Sequence, residues 1–377
     1  MSTQNRLSCL VALAPAAGAI LFAQGASVKV NLPADSPVTL VSADWGESRT
    51  QERGSAQVLN LSTSLSLRHA GGRRIRAITW MVQAQEGVPG GKASVSKASL
   101  DVGPGETFPL KVELRLLRPV AAQAPPAVEM ALDGILFDDL GFFGPNRLDS
   151  RRVMLAYELE AQRDRRHFLQ VLQAKGPEGL QQECLASLRR QAELPAVDVQ
   201  LARGGRATAV DPGREVQFAF LRFPDAPVEP VAGLARASGA EVWSPRLEVV
   251  NRSRREVKYL EVGWMLSDAR GREFLGGSVP ARMTLAPGRR AAVLQETSLR
   301  FADKGGSPLA VEGMTGFVSQ VEFADGSVWI PSRAELDDPR LRKVLLPSIE
   351  EQRLTSLYRK KGLRALIEEL KRMGAGK

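Results

Sequence analysis

The sequence predicts a mainly β chain with helices, in which two β-sandwich modules stand in tandem and each runs on into an α-helical segment. Three observations carry that expectation. Short apolar runs alternate residue by residue with polar ones, as half-buried strands do. Gly, Pro and Asn separate them, as the turns of antiparallel sheets require. One frame also occurs twice: "ILFDDLGFFGPNR" (135–147) and "VEFADGSVWIPSR" (321–333) align without a gap, matching Phe137 with Phe323, Asp139 with Asp325, Phe143 with Trp329, Pro145 with Pro331 and Arg147 with Arg333.

At 377 residues the chain is long for one compact domain and suits two, each able to bury its own core. Residues 1–25 read as a secretory signal peptide: Arg6 precedes an apolar stretch from Leu7 to Phe22, and small residues follow at Ala23, Gly25 and Ala26, where cleavage is expected. The stretch falls short of the ~20 residues of a membrane-spanning helix and is interrupted by Pro15 and Gly18, which argues against an uncleaved anchor. The mature protein is therefore expected outside the cytoplasm, periplasmic or extracellular.

The first module, 26–195, and the second, 196–377, share further landmarks in the same order. "RIRAITWMVQ" (74–83) lines up with "KYLEVGWMLS" (258–267), placing Ile78, Trp80 and Val82 on Val262, Trp264 and Leu266. The period of two predicts a strand with one face toward a core. Next come Pro104-Gly105 and Pro287-Gly288, residue pairs suited to type II turns because Pro presets φ and Gly accepts φ > 0. The repeated frame closes each module as a hairpin, Asp325-Gly326 marking one turn and Asp139 with a left-handed Gly141 the other. The Trp, turn and hairpin landmarks recur at separations of 184, 183 and 186 residues.

Each hairpin leads into helical sequence. Leu159-Glu160-Ala161-Gln162-Arg163 echoes Ile349-Glu350-Glu351-Gln352-Arg353, and Gly179-Leu180 echoes Gly362-Leu363. In the last segment Leu354, Leu357, Tyr358, Leu366, Ile367, Leu370 and Met373 recur at three- and four-residue steps, an apolar stripe that needs a surface to pack on. A boundary between the modules is expected near Leu194-Pro195.

With a Trp strand, a Pro-Gly turn and a closing hairpin, the chain resembles exported bacterial tandem immunoglobulin-like or fibronectin-like β-sandwich proteins of unknown function, over roughly 110 residues of each copy. The resemblance implies immunoglobulin-like domains; the paired cysteines of antibody-type domains are absent. Cys9 lies in the presumed leader, and Cys184, on a helix beside Leu180, Leu185 and Leu188, is expected to be a buried thiol.

The residues offer little for catalysis. His69 sits in a turn-like stretch and His167 in a charged helix, both read as surface residues without a nucleophile partner. No cofactor or metal site is expected: there is no CxxC, and Asp138-Asp139 and Asp337-Asp338 lack the alternating oxygen ligands of a calcium loop. "GVPGGKAS" (87–94) has the wrong spacing for a phosphate loop, and Ala93 stands where Ser or Thr would hold Mg²⁺. Asn60 and Asn251 fit glycosylation sequons, a short pattern to which no weight is given.

The net charge of +9 is unevenly spread, with eleven basic and four acidic residues between Arg340 and Lys377. A nucleic-acid partner is thus not expected, while the C-terminal helix could meet an anionic surface. The expected function is a non-enzymatic binding or structural role in the cell envelope through protein contacts. Asp139, Arg147, Asp325, Trp329 and Arg333 are the candidate contact residues, though the hairpin frame reads more readily as architecture. The alternative is a carbohydrate-binding or enzyme-accessory module using Trp45, Trp243 or Trp329 as a stacking surface; a hydrolase with an unfamiliar site is a third reading.

Overall fold

The computed structural model describes residues 19–23, 26–44, 46, 48–54, 56–85, 92–119, 127–194, 197–203, 213–294, 297–303 and 305–374. Among the described residues the protein is mainly β with three α-helices, and it divides into two compact units, 1–154 and 155–377. That division falls inside the long helix. Most of the presumed leader lies outside the described residues; its end, Ala19–Ala23, forms a strand. Among the described residues no helix is long and apolar enough to cross a membrane.

The first unit holds strands β1 (Ala19–Ala23), β2 (Ala26–Asn31), β3 (Val38–Asp44), β4 (Arg49–Arg53), β5 (Ala56–His69), β6 (Ile75–Gln85), β7 (Lys92–Lys97), β8 (Thr107–Pro119), β9 (Ala127–Phe137) and β10 (Phe142–Phe143). One sheet runs β1-β2-β9-β6-β7 with β10 on β9; the other runs β3-β5-β4 with β8 on β5. Strand β2 lies parallel to β9, whereas the other pairings are antiparallel. The alternation in the sequence explains the core: Leu61, Leu65 and Leu67 of β5 and Phe108, Leu110 and Val112 of β8 point inward at every second position. They share one cluster with Ile78, Trp80 and Val82 of β6 and with Met130 and Ile135 of β9. Strand β6 departs from the one-faced pattern expected of it. Its second face also carries buried groups, with Arg76 paired to Asp101 at 2.6 Å and Thr79 bonded to Ser96 at 2.9 Å.

The second unit contains β11 (Val197–Arg203), β12 (Arg214–Phe220), β13 (Val228–Ser238), β14 (Glu241–Asn251), β15 (Val257–Ser267), β16 (Glu273–Leu285), β17 (Arg290–Leu294), β18 (Thr297–Asp303), β19 (Gly313–Phe323) and β20 (Val328–Trp329). They join in a single ten-stranded sheet, curled as a half-barrel around Trp264, Phe301, Val249 and Val321. The curl turns on β12, which pairs first with β13, antiparallel, and then with β19, parallel. Both Pro-Gly turns form as expected, with φ of +78° at Gly105 and +70° at Gly288.

Helix α1 (Ser150–Glu193) leads from one unit into the other, and α2 (Arg333–Leu336) and α3 (Ile349–Gly374) follow the last strand. Two glycines interrupt the long helices: Gly176 with φ 68° and ψ −170°, and Gly362 with φ 81° and ψ 176°. At each the helix doubles back. His167 Nε2 comes within 3.2 Å of Glu183 Oε1, and Arg353 Nη1 within 2.8 Å of Glu369 Oε1, although both pairs are 16 residues apart. On a straight helix such residues would be separated by ~24 Å. The two helical hairpins pack together around Phe168, Leu180, Cys184, Leu354, Leu366 and Leu370, all fully buried. Each of the first three stands 186 residues before one of the last three, and the same separation links the two glycines and the two closing pairs. The breaking glycine of α1 is thus Gly176, not the Gly179 that the sequence echo pairs with Gly362.

Candidate functional site

The repeated hairpins form the same turn in both units. Leu140 N–H bonds Phe137 O and Gly141 N–H bonds Asp139 Oδ1; Gly326 N–H bonds Phe323 O and Ser327 N–H bonds Asp325 Oδ1. The left-handed position is Leu140 (φ 62°), matching Gly326 (φ 79°), and not Gly141 as the sequence suggests. A Cβ at Gly141 would fall 2.4 Å from the Arg73 guanidinium, the far end of a flexible and half-exposed side chain. That guanidinium stacks 3.9 Å from the Phe137 ring centroid and reaches Asp139 at 3.2 Å, just as Arg255 stacks 3.8 Å from Phe323 and reaches Asp325 at 2.5 Å. Asp139 and Asp325 are therefore satisfied by their own turns together with Arg73 and Arg255. The turn amide of Gly141, with Arg73, holds Asp139 below the usual carboxylate range, and Ser327 with Arg255 brings Asp325 to about 2.

The two arginines of the frame have different fates. Arg147 is exposed, and its backbone amide donates to the buried Asp133 at 2.8 Å, fixing the entry into α1. Arg333 opens α2 after the Ser332 N-cap and turns its guanidinium toward Glu351 (2.5 Å), Asp164 (3.4 Å) and Glu183 (3.5 Å). Asp164, which is fully buried, also receives Arg163 at 3.0 Å and the Ser348 hydroxyl at 2.5 Å; Glu351, also buried, receives Ser187 at 2.6 Å and Arg190 at 2.7 Å. This network ties the hairpin frame of the second unit to both long helices. Glu183 is held down to about 2 chiefly by its hydrogen bond from His167, with Arg333 and Arg190 assisting against burial. Cys184 is buried beside it, as expected, and burial pushes its thiol up to about 12.

Several sequence expectations change here. His69 is buried, not superficial, with Nδ1 2.9 Å from Gly103 O. His167 is partly covered through its contact with Glu183. Asn251 is a buried structural side chain that donates to Arg255 O at 2.7 Å and Leu285 O at 2.9 Å. Trp329 is half-buried against two apolar clusters, and Trp243 packs on the α-carbon of Gly213, so neither presents an open stacking face; Trp45 lies outside the described residues. Residues 87–91 of the phosphate-loop-like stretch also lie outside them. Among the described residues no group of three or more His, Cys, Asp or Glu side chains could hold a metal ion.

What sequence reading missed is a cleft of about 440 Å³ in the second unit. Its floor is the outer face of the sheet, where Glu261 and Gly263 of β15, Leu275 and Ser278 of β16 and Phe317 and Ser319 of β19 emerge. Gly263 has to be glycine, because the Phe317 ring lies across it and a Cβ would stand 2.4 Å away. One wall is α1, through Tyr157, Glu160 and Arg163; the other is the segment from Pro331 to Glu351. That segment is seated by Leu341 and Val344, buried with Met265 and Phe317 against the sheet. At the mouth, Leu346 and Ile349 are exposed to 61% and 46%.

Of the carboxyl groups that line the cleft, Glu160 and Glu261 come from facing elements, α1 and β15. Glu261 accepts hydrogen bonds from the hydroxyls of Tyr259 and Ser278. Burial, opposed by Arg163 and reinforced by Asp164 and Glu261, pushes Glu160 up to about 7. The Tyr157 phenol is raised for related reasons, burial first and then the charges of Glu160 and Glu261. No signal in the sequence marks Glu160 beyond its place in a helical echo, because the burial that shifts it is set by tertiary packing and Glu261 stands a hundred residues away.

Comparison with known proteins adds little to this geometry. No family model matches the chain, and no curated protein matches it. Among solved structures, a β-glucosidase from Kluyveromyces marxianus is 8% identical, with 70% of this chain and 45% of that one covered and a TM-score of 0.16. Red sea bream transglutaminase is 11% identical over 75% of this chain and 31% of its own, with a TM-score of 0.14. A β-glucosidase from Streptomyces venezuelae is 12% identical over 73% and 47%, with a TM-score of 0.16. The chain spans less than half the length of each, and likenesses of this size define neither a common fold nor a common site.

Proposed function

We propose that the protein is an exported, non-enzymatic binding protein made of two immunoglobulin-like modules, which engages a protein partner in the cell envelope through the cleft of its second unit. The modular reading is supported by strand order. In the first unit β3-β5-β8 form one set and β7-β6-β9, with β10 on β9, the other; in the second, β13-β14-β17 and β16-β15-β19, with β20 on β19, repeat that order. It is the order of strands A, B, E and C′, C, F, G in an immunoglobulin-like sandwich, with a central Trp on the third strand, Trp80 or Trp264. In both units an additional strand, β2 or β12, joins the F position in parallel.

The observation that carries the binding reading is the mouth of the cleft. Among the described residues Leu346 and Ile349 are two of the few large apolar side chains left exposed, and they flank an apolar recess on a firmly seated segment. Asp139 and Asp325 are paired at the surface with Arg73 and Arg255, and Arg333 is drawn into a buried network, so the partner surface is better placed here than on the repeated frame. Capture from envelope extracts of the producing cells tests the reading. Wild-type protein should retain a discrete partner that the Leu346→Glu and Ile349→Glu variants lose while keeping the parental circular dichroism and Tm. Equal retention by the variants, or none by the wild type, would overturn it.

A further inference from the structure

We infer that the cleft takes an uncharged, apolar segment of the partner and discriminates against charge of either sign. This deepens the binding reading and rests on it.

The charges that line the cleft balance, four basic side chains against four acidic ones. Those inside it are closed on one another. Arg163 reaches Asp164 and Pro331 O, each at 3.0 Å, Arg190 reaches Glu351 at 2.7 Å, and Arg333 spans Glu351, Asp164 and, at 3.9 Å, Asp337. Glu261 is engaged by the hydroxyls of Tyr259 and Ser278. Arg163 also acts on Glu160, yet burial outweighs it and favours the neutral acid. Asp337 and Arg342 are exposed and opposite in sign. An ion entering the recess would lose its water against groups that already have their partners, a cost that is not repaid.

Apolar surface meets no such cost. Leu275 and Phe317 on the sheet, with Leu336 and Leu345 on the segment beside it, form an apolar lining that runs out to the exposed Leu346 and Ile349 at the mouth. A cleft of about 440 Å³ holds a few side chains and not a folded domain, so the occupant is a short extended or looped segment.

Glu160 makes this docking pH-dependent. It shares the cleft with Tyr157, Arg163 and Arg190 of α1, with Glu261 of β15, and with Arg333, Asp337, Arg342 and Glu351 of the other wall, while Asp164 lies behind it on α1. An apolar side chain laid over Glu160 strips it of more water and favours the protonated acid further. The occupied cleft then holds more protons than the empty one, and affinity rises as pH falls from 8 to 6.

Isothermal titration calorimetry on the full chain tests this with three capped peptides, acetyl-SLXLS-amide, in which X is norleucine, lysine or glutamate. The norleucine peptide should bind at least tenfold tighter than either charged one, and at least threefold tighter at pH 6 than at pH 8. Glu160→Gln should keep norleucine binding and lose its pH dependence, with Glu160→Met as a second variant should the first alter the circular dichroism. A charged peptide that binds as tightly as the norleucine one would overturn the inference, and wild-type affinity unchanged from pH 6 to pH 8 would overturn the role given to Glu160. Binding of no peptide, with a partner still captured through Leu346 and Ile349, would sink this inference alone; loss of that capture as well would sink the binding reading too.

Discussion

Arg333 donates from Nη1 to Oε2 of Glu351 at 2.5 Å, joining the start of α2 to the first turn of α3 through a carboxylate that is almost wholly buried. Glu351 also holds Arg190 and Ser187, and Arg333 also faces Asp164, so the pair is the centre of a network and not an isolated surface bridge. Such a group is worth most as a constraint on geometry. Removing one partner leaves buried charge behind.

Arg333→Ala is accordingly expected to destabilise the second unit by about 3–5 kcal/mol, the cost of breaking a buried pair. Arg147→Ala, at the matching place of the sequence frame, should change stability by no more than about 0.5 kcal/mol, because its side chain is exposed and its amide still reaches Asp133. Urea denaturation of both variants checks the contrast. Similar losses in the two would mean that the arginines are equivalent after all.

Glu160 gives a pH dependence with a defined sign. In the unfolded chain its carboxyl ionises near 4.5, and in the fold near 7. Between those values the unfolded state holds fewer protons, so the contribution of Glu160 makes stability fall as pH rises from ~4.5 to ~7, with no slope outside that window. Glu160→Gln should remove this component and become the more stable form at pH 8, by about 3 kcal/mol at most. Thermal melts of both proteins from pH 4 to pH 8 read it directly; parallel curves would show that Glu160 titrates normally.

The C-terminal basic residues make a narrower prediction than the sequence suggests. Much of the charge on α3 is paired, Arg353 with Glu350 and Glu369, and Arg372 with Glu369, while Leu354, Leu366 and Leu370 are core. Deleting the helix would therefore break the bundle and tell nothing about surface binding. At the Gly362 bend, however, Arg359, Lys360 and Lys361 are exposed together. If this tip meets an anionic surface, the Lys360→Glu, Lys361→Glu double variant should lose salt-sensitive binding to vesicles containing phosphatidylglycerol at unchanged Tm. Binding that is insensitive to both salt and substitution would rule the tip out.

Much of the scaffold could be read in advance because strands advertise themselves locally. The alternation around Leu65 and Leu110, the Trp strands and the Pro-Gly turns all depend on near neighbours, and each formed, although the Trp strands bury groups on both faces where the sequence suggested one. The hairpin was legible for the same reason, down to the role of Asp139 and Asp325, although Arg73 and Arg255 as their partners were not, lying some seventy residues upstream. The helical segments were harder. Sequence echoes align them at separations of 190 and 183 residues, whereas their contacts recur at 186. The errors are plus four and minus three, one helical turn either way, and a shift of one turn keeps an apolar stripe nearly in phase.

The cleft was illegible for a different reason. Its residues come from α1, three strands and the segment after the hairpin, and no short window contains more than a few of them. Glu160 looks like any solvated helix residue until Glu261 and the sheet are placed beneath it. Leu346 and Ile349 look like part of a core stripe until Leu341 and Val344 take the buried positions and leave them outside.

Site-specific photo-crosslinking from position 346 in intact cells tests the central claim, that this mouth is where the partner docks. One discrete adduct is expected, absent when the same probe is placed at the exposed Leu185 on α1 and lost when Ile349→Glu is added. No adduct at position 346, or the same adducts from both positions, would contradict it.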